Sequence, residues 1–348
     1  MNQRKRLATF VQISDLHFAS IDPQTGALRF PAWLKKMWAN TSRFDGLLGH
    51  SHKSLVQLSS YVASMRHREN AEVIFTGDAT SCGAPDQFDL ADDYLATQLL
   101  PPIGNHIGLH ASTWRDLGIA GNHDQWPGDG WMLGNPNGAV KIYFPGLPDV
   151  NQTRSLPCGR LIRFVRIDSD ADIGPNSLNR AMARGAFQSQ LAVADKMLDD
   201  LGRREHEIRV MLIHHSYHCR GKTLSMKLAS HQALSHFLSD HCISVVMTGH
   251  LHVPLVHRFV PPVPESNHVL ETRCGTTTQT DRVPLEWKTL RGKFPKRAFP
   301  KNTLLLHRLF EDNRDQLFWT VEVIERTRVE FKPVRRLKTK EIRVHPYG

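Results

Sequence analysis

Alternating strand-like and helix-like segments predict an α/β domain built on mixed β-sheets. Short runs rich in Val, Ile and Phe, typical of buried strands, occur at 9–14, 71–77, 116–121, 161–168, 208–213 and 243–249. Segments with helical periodicity lie between several of these runs, at 52–69, 86–100 and 186–205. Beyond residue 252 the pattern changes to strands with little helix, at 268–272, 302–310 and 316–325. We expect these late strands to complete or flank a second sheet.

The predicted elements carry local signals of their own. Several of the strand-like runs end in Gly or in short polar residues, which favour turns. The segment 186–205 places Leu191, Ala194, Leu198 and Leu201 on one stripe, the spacing of a helix with one buried face. Two long connections, 18–50 and 125–157, follow strand ends, and long loops in compact domains often form the rims of functional sites.

Length and composition limit the class of protein. A chain of 348 residues with 40% hydrophobic and 22% charged residues can bury a sizeable core, and it contains no run of 18 apolar residues. This composition argues against a disordered chain and against a membrane partner. The five cysteines show no CxxC spacing, and the N-terminus lacks a signal-peptide pattern. We therefore expect a cytoplasmic protein.

The net charge of +10 is concentrated near the C-terminus. Residues 286–348 carry 16 Lys and Arg against 8 Asp and Glu, whereas the preceding residues carry 28 against 26. A basic stretch can bind nucleic acid, but basic residues alternating with apolar ones are equally typical of the outer face of strands. Nucleic acid is therefore a secondary candidate partner. We expect one domain over 1–325 and a basic C-terminal extension over 326–348.

Residues of types that bind metal ions follow nearly every predicted strand. Strand ends are where side chains leave a packed sheet and converge. In the DxH and HxH patterns one residue separates the two candidate ligands, so an extended segment would point both to the same side. The candidate metal ligands are Asp15, His17, Asp78, Asn122, His214, His250 and His252.

Seven side chains are too many for one four-coordinate zinc ion but suit two ions that share a carboxylate. The set combines imidazole, carboxylate and amide groups without a thiolate, which favours divalent Mn, Fe, Zn or Co. Two such ions about 3.5–4 Å apart can activate a bridging hydroxide as the nucleophile and stabilise the oxygens of an in-line displacement at phosphorus. The sequence therefore predicts metal-dependent phosphoester hydrolysis.

Five sequence blocks resemble the motifs of the calcineurin-like metallophosphoesterase superfamily. ISDLHF, FTGDAT, AGNHD, LIHHS and TGHLH are similar to its DxH, GD, GNH(D/E), H and GHxH blocks, and together they span residues 9–255. The resemblance implies a four-layer sandwich of two mixed sheets packed face to face and flanked by helices. It also implies that strands in 256–325 complete the domain and that a dinuclear metal site lies at the C-terminal ends of strands.

The resemblance further implies a role for each candidate. One metal ion would take Asp15, His17 and His252, and the other would take Asn122, His214 and His250, with Asp78 bridging the two ions. His123 would be the general acid at the leaving oxygen, and Asp124 would hold its imidazole. An oriented imidazole beside two cations can deliver a proton near neutral pH.

Two further histidines remain open alternatives. His215 could replace His214 as the ligand if the strand ended one residue later, because a one-residue shift reverses side-chain direction. His214 is preferred since it matches the first histidine of the family block. His218 could approach the substrate or lie on the polar surface.

The substrate class is predicted from the details of the blocks. GNHD, the HHS block without prolines after it, and the moderate chain length resemble the cyclic-nucleotide and glycerophosphodiester phosphodiesterase branch. No arginine directly adjoins the five blocks, and guanidinium groups suit the terminal oxygens of monoesters, so a diester is favoured. We expect a small phosphoester substrate, with a nucleotide as one candidate. A phosphomonoesterase and a nuclease of the same superfamily are the alternatives.

Overall fold

Two mixed β-sheets form the centre of the structure, which is a computed structural model. It describes residues 4–21, 24, 28–29, 49–97, 107–128, 135, 138–175, 177–202, 206–219, 223–278, 302–334 and 339–344. The strands are β1 (Lys5–Ile13), β2 (Ser20–Ile21), β3 (Leu28–Arg29), β4 (Glu72–Phe75), β5 (Asp149–Ser155), β6 (Leu161–Ile167), β7 (Glu207–Ile213), β8 (Ile243–Thr248), β9 (Leu255–Phe259), β10 (Val269–Arg273), β11 (Thr303–Glu311), β12 (Leu317–Arg326), β13 (Phe331–Pro333) and β14 (Lys340–Val344). The helices are α1 (His52–Glu69), α2 (Pro85–Ala96), α3 (Ala139–Tyr143), α4 (Leu178–Ala181), α5 (Gln188–Leu201) and α6 (Leu228–Asp240).

The strand order places the ends of the motif-bearing strands together. The first sheet has the order β13-β12-β11-β1-β4, with β14 also paired to β12, and β1 runs parallel to β4. The second sheet has the order β5-β6-β7-β8-β10-β9, in which the four strands from β6 to β10 are parallel. The carboxyl ends of parallel neighbours share one edge, so the loops after β1 and β4 meet, as do those after β7 and β8.

Apolar side chains at successive positions of a strand lie on opposite faces of its sheet, and both faces are packed in this four-layer structure. In β11, Leu304 and Leu306 belong to the apolar cluster under α1 and α2, whereas Leu305 and Leu309 belong to the cluster between the sheets. A third cluster joins the outer face of the second sheet to α5 and α6. The predicted fold class, helices on both sides of two packed mixed sheets, is therefore confirmed. Among the described helices, none is both long and apolar enough to span a membrane.

The predicted helices and strands agree with the structure except for one core strand. The structure also contains several elements that were not predicted. The helix at 52–69 is observed with these bounds, because the Ser51 side chain caps its first turn and left-handed Asn70 ends it. The strand predicted at 116–121 is reduced to a single parallel bridge between Phe75 and Gly118. Sequence periodicity did not indicate β5, β9 or α6. The basic C-terminal extension, 326–348, contributes β13 and β14 to the first sheet. The domain boundary at residue 325 stays a prediction.

A buried polar network joins the two sheets directly beneath the strand ends. Gln12 of β1 donates from Nε2 to the carbonyl oxygen of Thr248, at the end of β8, over 2.9 Å. Its Oε1 accepts hydrogen bonds from Oγ1 of Thr272 and from Nε2 of His307, at 3.1 and 3.0 Å. Nε1 of Trp319 donates to Nδ1 of His307 over 3.0 Å. His307 is thus held as one neutral tautomer, with a donor on Nε2 and an acceptor on Nδ1.

His307 is expected to make folding stability fall in mild acid. Burial lowers the pKa of His307 to about 3. Protonation of Nδ1 would also set it against the Trp319 donor. The unfolded chain binds this proton near pH 6.5 and the folded chain does not, so stability is complete above pH 6.5 and falls between pH 6.5 and 3. The contribution lost between pH 7 and 5 is about 2 kcal/mol. Urea unfolding of His307→Gln across this range should show a shallower pH slope.

An exposed histidine supplies the control for that measurement. His67 lies on the solvent-facing side of α1, and His67→Gln removes a histidine without touching the network. If His307→Gln and His67→Gln have the same pH slope as the unmodified protein, His307 does not carry this pH dependence.

Candidate metal centre

A first cluster of donor atoms lies where β1, β4 and β8 end. Asp15, His17, Asp78 and His252 each offer one ligand atom, and these four atoms lie within 4.8 Å of one another. Nε2 of His252 is 3.1 Å from Oδ1 of Asp15 and 3.2 Å from Nε2 of His17. Asp15, His17 and Asp78 are buried and His252 is partly buried. Two imidazoles and two carboxylates at this spacing form a suitable cage for a divalent cation.

A second cluster lies beside the first and shares Asp78 with it. Oδ1 of Asn122 is 3.2 Å from Nε2 of His214 and 2.9 Å from Nδ1 of His250. Oδ2 of Asp78 lies 3.2 Å from Nε2 of His214 and 3.8 Å from Nε2 of His17 in the first cluster. All seven side chains predicted as ligands are thus brought together, with one carboxylate between two groups of three.

The backbone at five of these seven residues is left-handed. Asp15, His17, Asp78, His250 and His252 have φ angles of 53°, 51°, 58°, 76° and 56°. Residues other than glycine adopt this conformation at a cost, and such strain is concentrated at functional sites. The sequence pattern predicted extended DxH and HxH segments. The φ angles show that these segments are bent instead. Successive tight bends, rather than strand alternation, aim both side chains of each pair into the site.

The donor chemistry of the second cluster fits a cation. Nδ1 of His214 donates to the carbonyl oxygen of Thr76 over 2.7 Å, so Nε2 faces the oxygens of Asn122 and Asp78 and, without a proton, would present its lone pair to them. Such a set of converging lone pairs is repulsive until a positive charge occupies the space between them. Burial opposes a charge on His214, but the Asp78 carboxylate, together with Asp15 and the hydrogen bond to Thr76, raises the pKa of His214 to about 10. The field of Asp78 therefore favours a cation at this point.

Glycines in the motif blocks allow the loops to approach this closely. A Cβ on Gly121 would lie 2.3 Å from Oδ1 of Asp78 and 2.4 Å from its backbone nitrogen. A Cβ on Gly77, whose φ is +100°, would lie 2.4 Å from Nδ1 of His214. The glycines of the GD and GN pairs thus make room for the ligand residues of neighbouring loops.

Gly121→Ala is expected to disrupt the cluster around Asp78. The added methyl group meets Asp78 backbone as well as its carboxylate, so the loop itself must move. We expect metal affinity to fall about 10–100-fold and the free energy of unfolding to fall by about 1–3 kcal/mol. Elemental analysis after dialysis and urea unfolding measure the two effects. Gly138→Ala is the control, because Gly138 has helical φ and no atom within 4 Å of an added Cβ. Full metal retention by Gly121→Ala would contradict this explanation.

The His123 imidazole lies next to the first cluster. Its ring centroid is 4.7 Å from that of His17 and 4.1 Å from that of Trp126. Nδ1 lies 2.9 Å from the carbonyl oxygen of Ser81, and the backbone nitrogen donates to Oδ1 of Asp78 over 2.8 Å. Burial lowers the pKa of His123, and the Asp78 charge opposes that effect. The Ser81 carbonyl therefore orients the ring, and Nε2 is the nitrogen that can face a substrate.

Asp124 does not hold the His123 ring, and that expectation is wrong. Its two oxygens accept hydrogen bonds from the backbone nitrogens of Ala79, Thr80 and Gly121 and from Oγ1 of Thr80, at 2.9–3.2 Å. Burial, together with the charge of Asp78, raises the pKa of Asp124 to about 7. Asp124 thus joins the loop after β4 to the GNHD loop, and it supports Asp78 and Asn122 through the backbone.

Comparison with known proteins agrees with this geometry. The family profile described as calcineurin-like phosphoesterase matches residues 8–254. The chain belongs to the calcineurin-like phosphoesterase family. Members of this family are phosphoesterases that use divalent metal ions. No curated protein matches the chain in sequence.

Two solved structures are similar to this chain at 12% identity. One is a Staphylococcus aureus protein described as a 5'-nucleotidase, in complex with alpha-ketoglutarate, with a TM-score of 0.44. The match covers 97% of this chain and 54% of that one, so this chain spans about half the length of the S. aureus protein. The other is a conserved Streptococcus pneumoniae protein described as a phosphoesterase, with a TM-score of 0.34 and coverage of 97% and 99%.

The second histidine of the HHS block packs its ring against His250, at a centroid distance of 4.2 Å, but its two nitrogens bond outside the clusters. Nδ1 of His215 lies 2.7 Å from Oγ of Ser169, and Nε2 lies 3.3 Å from the carbonyl oxygen of Ala183. Burial, together with the neighbouring His214, lowers the pKa of His215 to about 3. His214, not His215, is therefore the member of this pair that faces Asp78 and Asn122.

Several residues that support the site were missed by sequence reasoning. Oγ1 of Thr276 and Oγ1 of Thr278 donate to the carbonyl oxygens of Asp15 and Leu16, each over 2.9 Å, and so hold the DxH loop. Arg180 donates to the carbonyl oxygen of Gln125, beside the GNHD block, and Arg273 donates to that of Val253, beside His252. These residues are distant in sequence from the loops they hold, and only the run of three threonines at 276–278 could have attracted attention.

Proposed function

We propose that this calcineurin-like phosphoesterase is a phosphodiesterase with a dinuclear metal centre. The observation that carries the proposal is the convergence of seven donor side chains into two clusters that share Asp78. A single ion would leave one group of imidazoles without a partner, whereas two ions use all seven side chains.

Each cluster has the donors for one ion. Asp15, His17 and His252 would hold the first ion and Asn122, His214 and His250 the second, with Asp78 in contact with both. Divalent Mn, Fe, Zn or Co suits this mixture of imidazole and oxygen donors. When bound, the two ions supply Lewis-acid activation of a water molecule and of the phosphoryl oxygens.

The protein residues then determine orientation and proton delivery. His123 donates Nδ1–H to the Ser81 carbonyl, so its Nε2 can carry a proton to the departing oxygen of the ester. Thr76 fixes the ring of His214 through Nδ1, which keeps Nε2 directed at the centre. Asp124 keeps the loops of Asp78 and Asn122 in register through four donors.

The surroundings of the clusters favour a diester over a monoester. A monoester carries a second negative charge that a guanidinium group usually binds in a bidentate manner. Arg180 and Arg273, which lie beside the motif loops, donate instead to backbone carbonyls at Gln125 and Val253. A singly charged diester is the substrate that this arrangement suits.

Turnover of matched substrates by enzyme with quantified metal content tests the proposal. We expect kcat/KM for bis(p-nitrophenyl) phosphate to exceed that for p-nitrophenyl phosphate at least about 10-fold, and activity to vanish when a chelator removes the metal. The reverse ratio would identify a phosphomonoesterase. Faster cleavage of oligonucleotides than of small diesters at low salt would identify a nuclease. Stoichiometric metal without turnover of any of these substrates would refute hydrolysis.

A further inference from the structure

A fully buried carboxylate outside the metal clusters binds the loop that follows β7. Glu271 lies in β10, between β8 and β9, and its relative exposure is 0%. It accepts hydrogen bonds from Oγ of Ser216 at 2.6 Å and from the backbone nitrogens of Tyr217 and His218 at 3.0 and 3.2 Å. Oγ1 of Thr248 adds a fourth, at 3.3 Å. Nothing in the proposed hydrolytic mechanism uses this group.

The fifth donor to Glu271 is the imidazole of His218. Nδ1 of His218 donates to Oε2 of Glu271 in a short contact. The ring packs edge to face against His257 and Phe259 of the edge strand β9, at centroid distances of 4.4 and 4.6 Å. The side chain is 27% exposed, and among the described residues Nε2 has no hydrogen-bond partner. His218 thus presents a fixed, solvent-accessible Nε2.

A guanidinium group balances the buried carboxylate of this pair. Burial alone would raise the pKa of Glu271, but the hydrogen bonds from His218 and Ser216 lower it below its usual value. Glu271 is therefore an anion, and Arg273 reaches it through Ser216, whose Oγ accepts from Nη1 over 3.1 Å. Arg273 thus balances the charge of the carboxylate, so Glu271 leaves no net negative charge beside His218 that would repel an anion.

This group lies between the two loops that carry metal-cluster residues. Ser216 and His218 follow His214 in the loop after β7, and Arg273 donates from Nε to the carbonyl oxygen of Val253, next to His252, over 2.8 Å. The imidazole of His218 is therefore positioned at the same sheet edge as the metal centre, a few residues from both ligand loops.

We propose that His218, held by Glu271, is an anion-binding position beside the metal centre that takes a second anionic group of the substrate. The inference rests on the proposed function and specifies its substrate class as phosphodiesters that carry a further negative group, such as a terminal phosphate. Nε2–H of the oriented imidazolium donates to that group, while the scissile phosphate occupies the metal centre.

Two substrates that differ in one phosphate test this position. Thymidine 5'-(p-nitrophenyl phosphate) and its 3'-phosphorylated form share the scissile ester. For the unmodified enzyme with quantified metal, we expect KM to be lower for the 3'-phosphorylated form. In His218→Gln this KM advantage should fall about 10-fold, since hydrogen bonds to charged groups contribute about 1.5–3 kcal/mol. His218→Lys, which keeps a cationic donor, should restore part of the advantage.

Neighbouring variants separate recognition from structural damage. His257→Gln removes an exposed ring that touches His218 but does not bond to Glu271, and it should keep the KM advantage. Loss of metal from His218→Gln, equal KM changes for both substrates, or an effect of His257→Gln as large as that of His218→Gln would overturn the inference. If the unmodified enzyme hydrolyses neither substrate, the proposed function itself fails. If it hydrolyses both without a KM difference, only this inference fails.

Discussion

Asp78→Asn is expected to lower kcat about 10³-fold or more, equivalent to about 4 kcal/mol of activation free energy, and to reduce bound metal below one ion per chain. Oδ2 of Asp78 faces His214 in one cluster and His17 in the other, at 3.2 and 3.8 Å. Burial opposes its ionisation, yet the adjacent His214 and His123 hold the pKa of Asp78 well below its usual value. Asparagine replaces that anion with a neutral amide, so both clusters lose their shared negative charge.

The control for this variant is the same chemical change at the surface. Asp86 is exposed in the first turn of α2, and Asp86→Asn should retain two ions and full turnover. Metal content by elemental analysis and kcat on a diester are measured together for both variants. An Asp78→Asn enzyme that keeps two ions and wild-type kcat would show that Asp78 does not join the two clusters.

The sequence predicted which residues meet, but not how the backbone brings them together. Asp15 and His17 were expected to share a direction because alternate residues of an extended segment do so. Their left-handed φ angles show that bends produce the shared direction instead. Strand ends could be located from apolar runs, whereas the conformation after each end depends on contacts such as those of Thr276 and Thr278, more than 250 residues away. Local patterns contain no information about such contacts.

The orientation of His123 illustrates the same limit. Asp124 was expected to bind the imidazole of His123, because its carboxylate is the next side chain along the sequence. In the structure successive side chains of the GNHD loop point in different directions, so Asp124 bonds to the loop after β4 and the Ser81 carbonyl receives Nδ1–H. The identity of the candidate acid could be predicted from the motif, but its orienting group could not.

His123→Asn is expected to slow turnover while leaving metal content unchanged. The ring of His123 packs against His17 and Trp126 but belongs to neither ligand cluster. Its contact with Asp78 runs through the backbone nitrogen, which every replacement keeps. We expect kcat to fall about 10²–10⁴-fold for a diester with an alkyl leaving group, because such an oxygen needs a proton as it departs. The loss should be much smaller for p-nitrophenolate, which is a stable anion.

Comparison with Asp124→Asn makes the leaving-group test decisive. Asp124 holds two loops by accepting four hydrogen bonds, and an amide in its place cannot accept all of them. Asp124→Asn should therefore lose metal and slow alkyl and aryl esters by the same factor, since its effect reaches the chemistry through the positions of Asp78 and Asn122. His123→Asn should separate the two esters at constant metal content. If both variants lose metal equally and neither discriminates between leaving groups, His123 supports the site rather than donating the proton.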